Sequence, residues 1–168
     1  MNRQSEIFDA ATFDSLSDAA RSSPRLRQNR NVHADFSEPC QRFFNAIEPG
    51  SYVRPHREGV AGRRKLLVGV RGLFVAILFD EQGVPVSFVP FGQSKLADGT
   101  RPAIGLEIEP MTWNSVIPIE TGSILLEVKP GPFDPQGPRH VAPWAPADGS
   151  VEVGPFLEAM TRQAMDHV

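Results

Sequence analysis

Four side chains have the types that acid–base chemistry or metal binding requires: His56, Glu58, Lys65 and Asn114. His56 and Glu58 are two residues apart, so on a strand they share one face and can act together. Asn114 offers only a weak, hard oxygen ligand. Lys65 cannot ligate a metal while it is protonated, and its charge repels a divalent cation. His56 with Lys65 instead has the types needed to take a proton beside a carbonyl group and to stabilise the resulting enolate.

Two stretches of the chain resemble the motifs of the cupin family. Gly50, five further residues and His56, followed by six residues between Lys65 and Gly72, resemble the first cupin motif, and Pro110–Asn114 stands where the second would be. Within the family, the WbuC-type cupins are the most similar, over about Ser23–Gly149, on the strings Ser23–Arg27, Pro39–Arg42, Pro49–His56, Glu127–Pro135 and Ala142–Ala147. The resemblance implies an all-β, single-domain cupin, that is, a double-stranded β-helix or jelly-roll barrel around a small-molecule pocket. It also implies a role in surface-polysaccharide metabolism.

The metal ligands that the resemblance implies are mostly replaced. They would stand at positions 56, 58, 65 and 114 as His, His, Glu and His, and this chain keeps only His56. We therefore predict no metal cofactor and an inward-facing Lys65 ammonium in the metal's place, paired with Glu58 and hydrogen-bonded by His56 and Asn114, because a buried charge must be paired. Two alternatives stay open: Lys65 faces solvent at a strand start, or a divalent metal binds to His56 and Glu58.

The predicted ligand pocket contains six residues, and His56 and Lys65 are its catalytic candidates. Alternation places Arg54 on the same side as His56, where a guanidinium would attract carboxylates or sugar phosphates. We expect a small polar or anionic ligand, such as a carbohydrate. The six residues are Tyr52, Arg54, His56, Glu58, Lys65 and Asn114.

Four functions fit these residues, and whether the protein is an enzyme stays open. The leading one is a metal-free cupin that binds a small molecule. The second is a metal-dependent cupin enzyme that uses His56 and Glu58. The third is a sugar epimerase or isomerase that uses His56 and Lys65, similar to metal-free cupins acting on nucleotide-linked keto sugars; its acid would have to be Tyr52, the only tyrosine. The fourth is a non-catalytic assembly protein.

The elements that would position these residues are short strands between two helices. A helix is predicted over about 9–22, a barrel over about 41–129, a proline-rich strap over about 130–148 and a last helix over about 154–166. Turn residues separate most of the eight strand candidates, which suits a jelly roll. The segment Arg25–Asp35 is predicted as a loop or irregular edge. The strand candidates are Gln41–Glu48, Ser51–His56, Lys65–Arg71, Leu73–Asp80, Val84–Pro90, Ile104–Glu109, Trp113–Ile119 and Ser123–Lys129.

Composition excludes several classes of partner. The 168 residues suit one domain, and a net charge of -3 with a pI of about 5.8 predicts neither a nucleic-acid nor a membrane partner. The single Cys40 excludes an internal disulfide, and with no signal peptide evident we expect a cytoplasmic protein. Cupins commonly pair through sheet edges, so we also expect a homodimer.

Overall fold

Two antiparallel sheets pack face to face in the computed structural model, which describes residues 5–58, 62–134 and 140–168. The first sheet has the strand order β1-β2-β8-β3-β6 and the second has the order β5-β4-β7. The strands are β1 (Arg27–Asn31), β2 (Cys40–Ile47), β3 (Lys65–Arg71), β4 (Leu73–Phe79), β5 (Pro85–Gly92), β6 (Gly105–Ile108), β7 (Trp113–Pro118) and β8 (Ile124–Pro130), and the helices are α1 (Ala10–Ser22) and α2 (Val153–Met165).

The order of the strands is that of a jelly roll. Strands β2-β8-β3-β6 form one four-stranded layer. The opposite layer is β7-β4-β5 together with the extended segment before His56, which pairs with β7 through a single bridge to Asn114. When the extended segment is counted as a strand, successive strands alternate between the layers except at the β4–β5 hairpin, as in a jelly roll. The predicted all-β barrel with flanking N- and C-terminal helices is confirmed.

Strand alternation explains where the two helices pack. In β4 every second residue, including Phe74 and Ala76, faces the opposite sheet, while Val75 and Ile77 face outward. Helix α2 covers that outer face with Met160 and its neighbours, and α1 covers the outer face of β2 in the same way. Because both faces of the sheets are covered, the sequence of β4 is apolar throughout.

Two predicted segments differ from the structure. Arg27–Asn31, predicted as a loop, is strand β1, which pairs with β2 at the edge of the first sheet. Ser51–His56, predicted as a strand, is extended but forms only isolated bridges, from His56 to Asn114 and to Val141. It therefore lies between β7 and the C-terminal segment. Neither helix in the part of the chain that the structure describes is long and apolar enough to cross a membrane.

Candidate functional site

A cavity of about 140 Å³ lies between the two sheets. Four strands each supply two lining residues that are two positions apart, so that both face inward: Asn45 and Ile47, Lys65 and Leu67, Asn114 and Val116, Leu125 and Glu127. Arg27, Val53 and His56 complete the lining. Most of the wall surface is apolar, and the polar side chains converge from different strands. This composition is usual for a small-molecule site.

The Lys65 side chain is buried in this cavity. Lys65 is only 2% exposed. Its Nζ lies 2.9 Å from Asn114 Oδ1 and 3.1 Å from His56 Nε2. The first residue of β3 thus brings an amine to His56 and Asn114, two of the three other residues at which the resemblance to cupins predicts metal ligands.

Both neighbours of the amine are fixed as hydrogen-bond acceptors. His56 Nδ1 lies 3.0 Å from the carbonyl oxygen of Arg54, so Nδ1 carries the proton and Nε2 presents its lone pair. Asn114 Nδ2 donates to the carbonyl oxygens of His56 and Thr112, at 3.0 and 2.9 Å, which turns Oδ1 toward Lys65. Two of the three tetrahedral positions around the amine are therefore committed to acceptors. Among the residues that the structure describes, no acceptor is recorded for the third, which can meet a ligand.

The pKa values of His56 and Lys65 are both lowered, but for different reasons. The charge of Lys65, followed by burial, holds the pKa of His56 well below its usual range. Burial lowers the pKa of Lys65, and the carboxylate of Glu127 offsets part of that effect. Because two cations 3.1 Å apart in a buried site are unfavourable, His56 stays neutral whenever Lys65 is charged.

A second lysine, Lys129, forms ion pairs with Glu58 and Glu127 beside the cavity. Lys129 Nζ lies 2.9 Å from Glu58 Oε1 and 3.3 Å from Glu127 Oε1. Burial lowers the pKa of Lys129, but the two carboxylates outweigh burial, so that the net pKa is raised. The predicted pair between Glu58 and Lys65 is therefore wrong, because Glu58 pairs with Lys129. The structure describes no carboxylate within 4 Å of the Lys65 ammonium.

The residues present do not fit a divalent metal. The atom of His56 that would bind it, Nε2, faces the Lys65 amine, and Glu58 is held by Lys129. Residues 5–58, 62–134 and 140–168 contain no group of three or more His, Cys, Asp or Glu side chains placed to hold an ion. The buried lysine would also repel one.

Tyr52 and Arg54, both predicted in the pocket, do not line the cavity. The Tyr52 hydroxyl donates to the carbonyl oxygen of Pro146 at 2.9 Å, and burial raises its pKa to about 12. Arg54 Nη2 donates to the carbonyl oxygens of Ala142 and Ala145, at 3.2 and 3.0 Å. Both side chains bind the C-terminal segment instead. Glu58 is likewise absent from the lining, which leaves His56, Lys65 and Asn114 of the six predicted residues in the cavity.

Sequence reasoning missed three polar residues of the cavity: Arg27, Asn45 and Glu127. Arg27 Nη1 donates to Ser51 Oγ at 3.2 Å and to the carbonyl oxygen of Tyr52, and burial lowers its pKa to about 10. Arg27 could not be found because it lies on β1, which the sequence predicts as a loop. Glu127 carried a signal, since it is a charged residue that follows the apolar Leu125 at the inward-facing period of β8.

Comparisons with known proteins give one matching family of unknown function and several solved structures that are similar to this chain. A family described as "Domain of unknown function (DUF6016)" matches residues 8–88, and no curated protein matches. Solved structures similar to this chain include KdgF from Halomonas sp., at 14% identity and a TM-score of 0.48, covering 67% of this chain and 85% of that one. Another is a cupin 2 domain-containing protein from Halorhodospira halophila, at 14% identity and a TM-score of 0.46, covering 82% and 80%.

A third is a cupin 2 conserved barrel domain protein from Rhodopseudomonas palustris, at 16% identity and a TM-score of 0.47, covering 82% of this chain and 77% of that one. At such values, the strand order rather than these likenesses identifies the jelly roll. Neither the matching family nor these three structures carry the name of the WbuC-type cupins, so that resemblance stays a prediction, as does the homodimer.

Proposed function

We propose that the protein binds a small organic anion in the cavity between its sheets, without a metal, and that the ammonium of Lys65 is the main contact. The observation that carries this proposal is the state of Lys65: it is buried, its two partners are neutral acceptors, and no described carboxylate pairs with it. A buried cation without a counter-ion is costly. An anion at the free position of the amine would supply the missing charge.

The charges around the cavity favour the same class of ligand. Two cations, Arg27 and Lys65, line it, and the structure describes no ion pair for either. The single acidic residue of the described lining, Glu127, shares Lys129 with Glu58, so the charges of these three residues, Arg27 and Lys65 sum to +1. An anion therefore meets a net positive site in a low dielectric, where a charge-assisted hydrogen bond is strong.

The size and the walls of the cavity restrict the anion. A volume of about 140 Å³ is close to that of cavities that hold a benzene-sized ligand, so about six non-hydrogen atoms fit inside. Most of the wall surface is apolar, although six of the eleven lining residues are polar, and this suits a short carboxylate better than a polyhydroxylated ring. Among carbohydrates, a sugar acid would supply the countercharge and a neutral sugar would not.

The other candidate functions have less support. A metal-dependent enzyme lacks a ligand set among the residues that the structure describes. An epimerase that uses His56 and Lys65 would need an acid in the cavity, and the hydroxyl of Tyr52 is bound to Pro146 instead. A filled barrel would favour a purely structural role, and this barrel contains a cavity.

The proposal is tested by calorimetry and thermal shift with acetate, propionate and lactate, and with acetamide as a neutral compound of similar shape. We expect saturable binding of the carboxylates and none of acetamide. Lys65→Met should abolish the binding, because it removes the buried amine of the cavity while roughly conserving volume. Lys95→Met is the matched control, since Lys95 is largely outside the barrel and does not line the cavity. Equal carboxylate binding by wild type and Lys65→Met would disprove the proposal.

A further inference from the structure

The chain has three lysines, and they lie in different environments. Lys95 follows β5 and does not line the cavity. Lys129 is held between Glu58 and Glu127, and its net pKa is raised. Lys65 alone among the three lines the cavity between the sheets, and its neighbours there are His56 and Asn114. Any chemistry of a buried lysine amine in this cavity therefore belongs to Lys65.

The geometry around Lys65 Nζ suits a nucleophile as well as a cation. Because His56 Nε2 and Asn114 Oδ1 are both acceptors, each takes one N–H of the amine, whatever its protonation state. In the neutral amine the remaining tetrahedral position holds the lone pair. Both acceptors are themselves fixed by backbone carbonyl groups, so the direction of that lone pair is set by the fold.

The surroundings also help the amine to lose its proton. Burial among aliphatic side chains disfavours the charged form of Lys65, which is one way in which proteins activate lysine nucleophiles. The register of β3 and β8, with Leu66 opposite Val128, places Lys65 beside Lys129, a second cation. His56 Nε2, at 3.1 Å, is the adjacent proton acceptor.

We propose that Lys65 forms an imine with the carbonyl carbon of a small 2-oxo carboxylate bound in the cavity. This inference rests on the proposed function, since the carboxylate end of the ligand occupies the proposed anion site. After one proton of the Lys65 ammonium passes to His56 Nε2, the amine forms a bond to the carbonyl carbon while the second bond of the C=O group breaks, and the oxygen takes a second proton from the amine nitrogen to give a carbinolamine. The C–O bond then breaks, the proton on His56 leaves with the hydroxyl group as water, and a protonated C=N bond to Lys65 remains.

The charges of the cavity suit this product. The iminium ion keeps the positive charge at Nζ, so the adjacent carboxylate of the ligand stays paired, and Arg27 lines the same cavity. Asn114 Oδ1, at 2.9 Å from Nζ, remains an acceptor for the iminium N–H. No oxidant, reductant or cofactor is needed, because the only other product is water.

Reductive trapping tests the imine directly. The whole chain is incubated with pyruvate and sodium cyanoborohydride, digested, and mapped by mass spectrometry. We expect one reduced pyruvate adduct per chain, on the peptide that contains Lys65, and not on those with Lys95 or Lys129. An adduct that is absent, or that follows solvent exposure and labels Lys95 and the N-terminal amine, overturns the inference.

Lys65→Arg is the informative variant, because arginine keeps a cation in the cavity but cannot form an imine. The trapping yield of Lys65→Arg should fall to the level of a sample without reductant. A cooperative unfolding transition of the variant serves as the control that it is folded. Binding of propionate, which has no carbonyl carbon to attack, separates the two proposals. Propionate binding without pyruvate trapping would overturn the imine alone, and trapping without propionate binding would overturn the anion site alone.

Discussion

The amine of Lys65 lies 3.1 Å from Nε2 of His56, and the proton on Nδ1 of the same ring points to the carbonyl oxygen of Arg54. A lysine amine thus occupies the position that a metal ion bound to Nε2 would need. This relationship keeps His56 neutral. It also makes the pair accessible to measurements that do not depend on knowing the ligand.

The first prediction concerns the protonation of His56. Because the charge of Lys65 and burial both lower its pKa, we expect His56 to remain neutral, with its proton on Nδ1, from pH 8 to about pH 5, below the ordinary histidine pKa of about 6.5. Nitrogen NMR of the labelled imidazole measures this. In Lys65→Met the larger cause is removed, so the His56 pKa should move back toward its ordinary value. Titration of wild-type His56 near pH 6.5 would contradict the prediction.

The lowered pKa of His56 also makes the free energy of unfolding depend on pH. The unfolded chain binds a proton at His56 as the pH falls through about 6.5, whereas the folded chain does not. The contribution of His56 to the free energy of unfolding is therefore fully present above that pH and is lost as the pH falls below it.

The second prediction concerns the pH dependence of Lys65→Met. The folded pKa of Lys65 lies below its ordinary value of 10.5, so the unfolded state takes up the proton first as the pH falls. Wild type loses stability from this group as the pH is lowered from 10.5, and Lys65→Met does not. The stability of the variant relative to wild type should therefore rise as the pH is lowered from 10.5, as measured by urea unfolding. Lys95→Met should show a constant difference, and parallel curves for Lys65→Met and wild type would contradict the prediction.

The third prediction concerns Lys129, which holds two carboxylates that are largely shielded from water. The side chains of Glu58 and Glu127 are 21% and 12% exposed, and they lose their common partner in Lys129→Met. We expect a loss of about 3 kcal/mol in the free energy of unfolding, as for other broken buried pairs. The further changes Glu58→Gln and Glu127→Gln should restore part of it.

A matched control exists on the surface. Arg64 also bonds two carboxylates, those of Glu107 and Glu109, but all three side chains are at least half exposed. Arg64→Met should therefore cost much less of the free energy of unfolding than Lys129→Met. Equal losses for the Lys129 and Arg64 variants would show that burial does not strengthen the cluster.

The fourth prediction concerns metal content. Because Lys65 faces the ligating atom of His56 and Glu58 is paired with Lys129, we expect purified protein to contain no stoichiometric zinc, iron, manganese or nickel. Elemental analysis before and after dialysis against a chelator measures this, with the thermal midpoint expected to be unchanged. An equimolar metal that is lost in His56→Ala would contradict the prediction.

The sequence predicts the barrel well because its signals are local. Alternating apolar positions and turn residues define β2 to β8 without knowledge of the partner strands. Strand β1 escapes prediction because its five residues, Arg27–Asn31, contain no apolar side chain. They form a strand only because β2 offers a free edge, which is a tertiary effect that no local pattern reveals.

The candidate site was predictable only where a motif spacing marked it. His56, Lys65 and Asn114 could be named from their positions, and the structure brings them together. The partner of Glu58 could not be named, because Lys129 is 71 residues away in the sequence and meets it only in the folded chain. Which inward-facing charges pair depends on their distances in the folded chain. The order of the residues in the sequence does not give those distances.

The backbone of His56 is bridged on one side to Asn114 and on the other to Val141, and the side chains of Tyr52 and Arg54 bind the same C-terminal segment. The extended segment that carries the histidine is therefore not the margin of its sheet. If residues 140–146 were detached, the unsatisfied amide and carbonyl groups next to His56 would be exposed, and such groups readily recruit a strand from another molecule. Residues 140–146 thereby protect the barrel from self-association and aggregation next to His56 and Lys65.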